Sequence, residues 1–310
     1  MIKKTLYFSN PTYLSCKDEQ LVIKLPDITE ANMHPKLQQK GELTRPIEDI
    51  GIVVLDHPQI TITHGAMEKL MQNSSVVVFC DKRKLPLGLC LPLYAHTTHN
   101  LRLRYQVEAS KPLVKQLWQQ TVQYKIKNQA FVLQHFTTEK AENMYIWSNE
   151  VRSGDSTYLE ARAAAFYWRY LFADLPYFVR EREGPPPNQL LNYGYAILRA
   201  VMARSLVMSG LNVTIGINHH NKYNPYCLAD DIMEPYRPYV DQLVLQIIEQ
   251  KGLVEDLTKE YKVELLRIPI LDVVIGGRKS PLMVATRQTA ASLAKCFAGK
   301  SRKIEYPYMG

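Results

Sequence analysis

The hydrophobic pattern changes texture about a third of the way along the chain. Over the first 90 residues apolar positions come in short runs such as "KTLYFS", "QLVIKL", "DIGIVVLD" and "SVVVFCD", rich in β-branched and aromatic residues and broken by Asn, Pro, Gly and Asp. Such side chains fit a pleated, half-buried surface, so these runs predict strands. "GAMEKLMQN" (65–73) is the exception, a short helix between strands. Residues 82–94, "KRKLPLGLCLPLY", carry two prolines and a glycine and read as a linker or an edge hairpin.

Beyond residue 100 the apolar positions fall three and four apart, so helices take over and continue nearly to the C-terminus. In "NQLLNYGYAILRAVMARSLVMSG" (188–210) Asn188 is a candidate N-cap after three prolines, and Gly210 sits where a helix end favours positive φ. Leu190, Gly194, Ile197 and Val201 line one face. A glycine inside a helix costs about 1 kcal/mol relative to alanine, which close approach by another backbone would justify. The expected organisation is a β-rich domain over 1–90, a linker over 91–100 and a helical domain over 101–310, an α+β chain.

At 310 residues with 46% hydrophobic content, the chain can bury one large core or two ordinary ones. The longest apolar runs are strand-sized, the N-terminus lacks the apolar core of a signal peptide, and no membrane span is expected. Five scattered cysteines without a Cys-x-x-Cys pair argue for a reducing compartment, the cytoplasm, and against a structural zinc. The net charge of +8 is uneven, with 11 Lys/Arg against 10 Asp/Glu up to residue 95 and 27 against 20 beyond it. A basic region that keeps a cluster of acids suits an enzyme of nucleic acid, although +7 over the remaining chain is also an ordinary solubility charge.

The candidate chemistry lies in the basic half. "GDSTYLEARAAAFYWRY" (154–170) opens a helix whose alanines at 161, 163, 164 and 165 permit close packing, with Glu160 in its first turn. Thr157-x-x-Glu160 also fits a capping box, in which the carboxylate returns to a backbone amide. In "LADDIMEP" Asp231 and Glu234 stand three apart on one helical face. Two carboxylates about 4 Å apart repel by about 4 kcal/mol at an effective dielectric of 20, so the pair needs a proton, an arginine or a metal ion. Arg237 is the structural alternative, and Pro235 breaks the helix just after Glu234. Upstream, His219 and His220 follow "GLNVTIG" in a loop. An imidazole near two carboxylates makes a mixed N/O site suited to Mn²⁺ or Mg²⁺. His96-x-x-His99 has a metal-like spacing but no accompanying carboxylates, and reads as solvated linker.

Five segments, "LYFSNPTYLS", "SGDSTYLEARAA", "NQLLNYGYAILRA", "GLNVTIGINHHNKYNPYCLADDIMEPYRPYVD" and "ATRQTAASLAKCFAGK", give the chain a nearly end-to-end resemblance to the CRISPR-associated integrase, the spacer-acquisition nuclease of the adaptation module, most closely to members from type II systems. The resemblance implies an N-terminal β-sandwich-like domain, used for dimerisation, followed by a larger all-α catalytic domain. It implies a catalytic metal site for Mg²⁺ or Mn²⁺ built from Glu160, His219 and Glu234, with Asp231 as a nearby acid. His219 follows from counting the Gly-x-x-His element from Gly216. Asn192, Tyr193 and Arg237 are carried over as residues beside the ligands or in contact with DNA.

The implied reaction is transesterification. A free 3′-hydroxyl on a short prespacer duplex attacks a phosphodiester at the leader–repeat border, and the second end attacks across the repeat. The implied partners are double-stranded DNA, a second copy in a homodimer, a bridging dimer of the small ferredoxin-like CRISPR adaptation protein and, from the type II likeness, the RNA-guided effector nuclease that reads the PAM. The implied setting is the bacterial cytoplasm. The competing reading is a non-catalytic DNA-binding scaffold of the adaptation complex. A zinc hydrolase of small molecules would need a second histidine cluster, which the chain lacks.

Overall fold

Ile50–Leu55 is buried at every position, as expected of a strand covered on both faces, and the N-terminal architecture is built around it. The computed structural model describes residues 2–25, 42–93 and 95–310, so Tyr94 of the expected linker lies outside the described residues. The chain divides into two compact units, Met1–Ala95 and His96–Gly310.

The first unit runs β1 (Lys4–Phe8), β2 (Thr12–Lys17), β3 (Gln20–Lys24), β4 (Glu42–Pro46), β5 (Ile50–Leu55), β6 (Ile60–Ile62), α1 (His64–Gln72), β7 (Val76–Cys80) and β8 (Pro86–Cys90). These strands make two four-stranded sheets, ordered β1-β5-β7-β8 and β4-β3-β2-β6. In the first, β1, β5 and β7 are parallel and β8 folds back antiparallel to β7, so the "KLPLGLC" stretch is an edge hairpin. Both sheets and α1 contribute to one core that includes Leu14, Leu21, Val53, Leu70 and Val77. Thr63 caps α1, its hydroxyl accepting from the Ala66 amide at 3.3 Å.

The second unit contains α2 (His99–Val107), α3 (Lys111–Phe136), α4 (Glu142–Glu150), α5 (Leu159–Leu171), α6 (Asn188–Met208), α7 (Cys227–Ile232), α8 (Arg237–Lys251), α9 (Lys259–Leu265) and α10 (Leu282–Phe297). Helix α2 starts at His99, so the last two residues of the expected linker are already helical. Helix α6, buried nearly all round, packs against α8, α9 and α10. Helix α3, about 39 Å long at 1.5 Å per residue, packs against α4, α5 and α8.

The second unit is helical as expected, apart from an antiparallel hairpin formed by β9 (Asp272–Ile275) and β10 (Arg278–Pro281). Its two-residue turn, Gly276 and Gly277 at φ 57° and 73°, is one that only residues free to take positive φ form readily. Two finer expectations are corrected here. Asn188 is not the N-cap of α6. It lies inside the helix, and its side chain instead donates to the Val179 and Pro185 carbonyls and accepts from the Glu181 amide and Arg180. At Gly194 the close approach comes from side chains: a Cβ there would lie 2.5 Å from Val240 Cγ1, with Ile268 and Leu265 behind it. Gly210 does take positive φ, 68°, and the Leu211 amide reaches back to the Leu206 carbonyl at 3.0 Å, closing the helix C-terminus.

Candidate active site

Glu160 owes its freedom to another acid. Asp155, buried and in a left-handed conformation just after Gly154, accepts from the Leu159 amide at 2.9 Å and from the Glu160 amide at 3.0 Å. Asp155 therefore does the work of a helix cap, and the Thr157–Glu160 capping box does not form. Among the helix's alanines only Ala163 is buried. The Glu160 carboxylate is left to project toward α3.

On α3 it meets Lys125, whose Nζ donates to Glu160 Oε1 at 2.7 Å and lies 2.6 Å from Glu234 Oε2. Lys125 is only 12% exposed. Burial works against its charge, but Glu234 and Glu160 outweigh it and raise the lysine above its usual range. Glu234 begins a short 3₁₀ turn, Glu234–Tyr236, where Pro235 interrupts the passage from α7 to α8. Its other oxygen lies 2.9 Å from Arg237 Nε. Burial opposes its ionisation, yet Arg237 and Lys125 hold its carboxyl below the usual range.

Asp231 has a different task. Fully buried, its Oδ2 accepts from the Ile217 amide at 2.7 Å and the Asn218 amide at 2.8 Å, and its Oδ1 bonds to Nδ1 of His219. The loop turns tightly to make these bonds: a Cβ on Gly216 would lie 2.5 Å from the His219 carbonyl and 2.8 Å from Asp231 Oδ2. The bond to Asp231 raises the pKa of His219, and burial only partly offsets it. The His219 ring also stands edge-on to Trp118 on α3, centroids 5.8 Å apart. His220 is exposed. Asp230 is held by Arg199 at 2.6 Å and by Asn224 at 2.7 Å.

The structure thus brings Glu160, His219, Asp231, Glu234 and Arg237 into one neighbourhood. The expected pairing of Asp231 with Glu234 is replaced by one of Glu234 with Glu160, because Asp231 is consumed by the histidine loop. Asn192 lies apart, accepting from Arg180 at 2.9 Å and donating to the Arg182 carbonyl at 2.8 Å. Tyr193 is buried with the Lys262 ammonium 5.3 Å from its ring centre, so it offers no surface for DNA. Its neighbour Tyr195 touches the site, its ring 4.6 Å from the Arg237 guanidinium and its hydroxyl donating to Asp241.

Sequence reading missed Lys125, Trp118, Asp155 and Tyr195. A signal for Lys125 existed: it falls seven residues after Trp118 and four after Thr121, on the face of α3 that turns inward, where the period calls for an apolar side chain.

Among the described residues no three His, Cys, Asp or Glu side chains close into a metal-holding group. The Lys125 ammonium keeps the two glutamates apart. The donor set nevertheless fits a hard divalent ion, for two carboxylates already converge on one cation, and a histidine bonded through Nδ1 leaves Nε2 free.

A family model of the CRISPR associated protein Cas1 matches residues 6–266. The CRISPR-associated endonuclease Cas1 of Neisseria meningitidis serogroup C (strain 8013) is 37% identical over 306 residues, covering 98% of this chain and 95% of that protein. Among solved structures, a casposase bound to integration product superposes with a TM-score of 0.75 at 18% identity, over 97% of this chain and 92% of that one. A Cas6-RT-Cas1–Cas2 complex gives 0.73 at 20% identity, over 97% of this chain and 36% of the longer one. No helix among the described residues is long and apolar enough to cross a membrane. With the family match spanning most of its length and the two-sheet, helical architecture shared, the chain belongs to the Cas1 family, the spacer-integrating endonucleases of CRISPR systems.

Proposed function

We propose that this member joins DNA ends through Glu160, His219 and Glu234, which would together hold Mg²⁺ or Mn²⁺, and that it serves a type II system in the bacterial cytoplasm. The observation that carries the reading is the meeting of Glu160 and Glu234, from distant parts of the chain, on one buried cation beside a histidine oriented by Asp231.

Each side chain has a definable task. Asp231 holds Nδ1 of His219 and so directs Nε2 outward, as a carboxylate does behind a metal-ligating histidine. Arg237 and Lys125 keep Glu234 charged in a buried setting. Trp118 fixes the ring edge-on. When bound, the ion lowers the pKa of an attacking 3′-hydroxyl or steadies the leaving 3′-oxygen, and offsets charge on the phosphorus. No covalent intermediate on the protein is needed, so no nucleophilic Ser or Cys is required.

The substrates are a prespacer duplex and the leader–repeat junction, gripped through backbone phosphates by the basic helical unit. The N-terminal unit serves dimerisation. A bridging dimer of the small ferredoxin-like adaptation protein joins two such dimers, in keeping with the Cas1–Cas2 assembly among the structural relatives. The RNA-guided effector nuclease is a further partner. The scaffold reading, DNA binding without catalysis, is disfavoured by the assembled carboxylate pair.

The test is strand transfer of a labelled duplex into a leader–repeat target, with the partner protein and Mg²⁺ or Mn²⁺. Glu160→Ala, His219→Ala and Glu234→Ala are each expected to abolish transfer while duplex binding persists. Transfer that survives His219→Ala but is lost in His220→Ala moves the ligand by one residue. Transfer indifferent to chelators rejects the metal mechanism.

A further inference from the structure

The His96-x-x-His99 spacing, expected to be solvated linker, borders a cavity of about 410 Å³, within the range of ligand pockets. His96 and Arg102 form one wall, Met208 and Ser209 at the end of α6 another, and Arg287 and Gln288 on α10 a third. The cavity is remote from the carboxylates. Tyr195, which contacts Arg237, lies thirteen residues before Met208 on the same helix, about 20 Å at 1.5 Å per residue.

Its charge is one-sided, with no carboxylate among the lining residues. Arg102 donates to the Ser209 carbonyl at 2.6 Å, which fixes its guanidinium at the C-terminal end of α6. Arg287 is exposed and makes no hydrogen bond or ion pair among the described residues. Arg204 is buried nearby. Burial, and then the charge of Arg287, push its guanidinium down to about 10. Burial, Arg102 and His99 likewise push His96 down. Cations crowded around a cavity repel one another, and an anion seated among them converts that repulsion into attraction.

We propose that this cavity is a second, non-catalytic site that takes a phosphate group, held by Arg102 and Arg287 with His96 and Gln288 at its rim. Planar guanidinium groups match phosphate oxygens with paired N–H donors, and Ser209 and Gln288 add polar edges. The occupant is a phosphodiester of bound DNA or a free phosphate. The polar chemistry is the same for both.

The experiment compares the full-length protein with Arg287→Gln, a change at an exposed position outside the carboxylate site. The two probes are inorganic phosphate, followed by calorimetric titration, and a labelled duplex, followed by anisotropy across a salt series. Lys279→Gln, exposed on β10, is the control for loss of any surface charge. For a phosphodiester, Arg287→Gln weakens duplex binding at least fivefold and lowers the salt slope by about 1, and the control does neither. For a free phosphate, Arg287→Gln weakens phosphate binding at least tenfold and leaves the duplex untouched. No effect on either probe, or an effect no larger than that of Lys279→Gln, overturns the site.

Discussion

The Nζ of Lys125 lies 2.7 Å from Glu160 Oε1, and the same ammonium reaches Glu234 at 2.6 Å. One lysine therefore bridges two glutamates that chain folding has forced together, and Arg237, 2.9 Å from the other oxygen of Glu234, supplies the second positive charge. Removing one partner of a buried charge cluster is strongly unfavourable, because the remaining charges lose their compensation.

Lys125→Met should accordingly lower stability by about 3 kcal/mol in the absence of divalent ions. Added Mn²⁺ should recover much of that loss and raise the Tm of the variant more than that of the parent. Differential scanning fluorimetry with and without Mn²⁺ checks this. Equal shifts in the two proteins would mean that the glutamates do not share a cation.

Asp231→Asn should leave the fold largely intact, since the amide oxygen still accepts from Ile217 and Asn218, but it weakens the hold on Nδ1 of His219. The loss expected on removing such a partner is about 10- to 100-fold, in strand transfer and in Mn²⁺ affinity alike. Parallel rate and metal titrations test it. A loss confined to duplex binding would contradict the assignment.

Asp155→Ala removes the acceptor for the Leu159 and Glu160 amides. The stability cost should be about 1–2 kcal/mol, as for other helix N-caps. Transfer should fall by more than that instability explains, because Glu160 loses its footing. Thr157→Ala should do neither, since Thr157 takes no part in the cap. Denaturant unfolding alongside rate measurements separates the two variants.

Asp241 gives the pH dependence. Burial pushes its carboxyl up to about 6 from an ordinary 3.8, against the hydroxyls of Tyr195 and Tyr167 that donate to it. The folded state thus binds the proton more tightly than the unfolded one. The resulting contribution to stability is complete below about 3.8 and is lost as pH rises through about 6. Its size is about 3 kcal/mol at about 1.4 kcal/mol per pH unit. Asp241→Asn should escape this loss, so its Tm relative to the parent should climb between pH 5 and pH 7. A constant difference across that range refutes it.

The sequence by itself determined the local matters. Alternation of side chains marked the strands, and three-and-four spacing marked the helices, since both depend on backbone periods that neighbouring residues must obey. The two glycines at 276 and 277 carried a hairpin signal that the surrounding helical pattern obscured. The segment holding His219, Asp231 and Glu234 stood out because its composition is hard to place on an ordinary surface, whereas Glu160, which also fitted a capping box, was singled out only by the family resemblance.

Tertiary structure alone decided who pairs with whom. Asp231 and Glu234, neighbours on paper, take separate partners because the loop before α7 folds back and claims the first through its amides. Asp155 relieves Glu160 of capping because Gly154 allows the turn that brings it there. Lys125, in the middle of a 26-residue helix, acquires its meaning only when α5 and the Glu234 turn close over it. Electrostatic partnership depends on distance in space, and a linear pattern fixes that distance only within a turn or two of the chain.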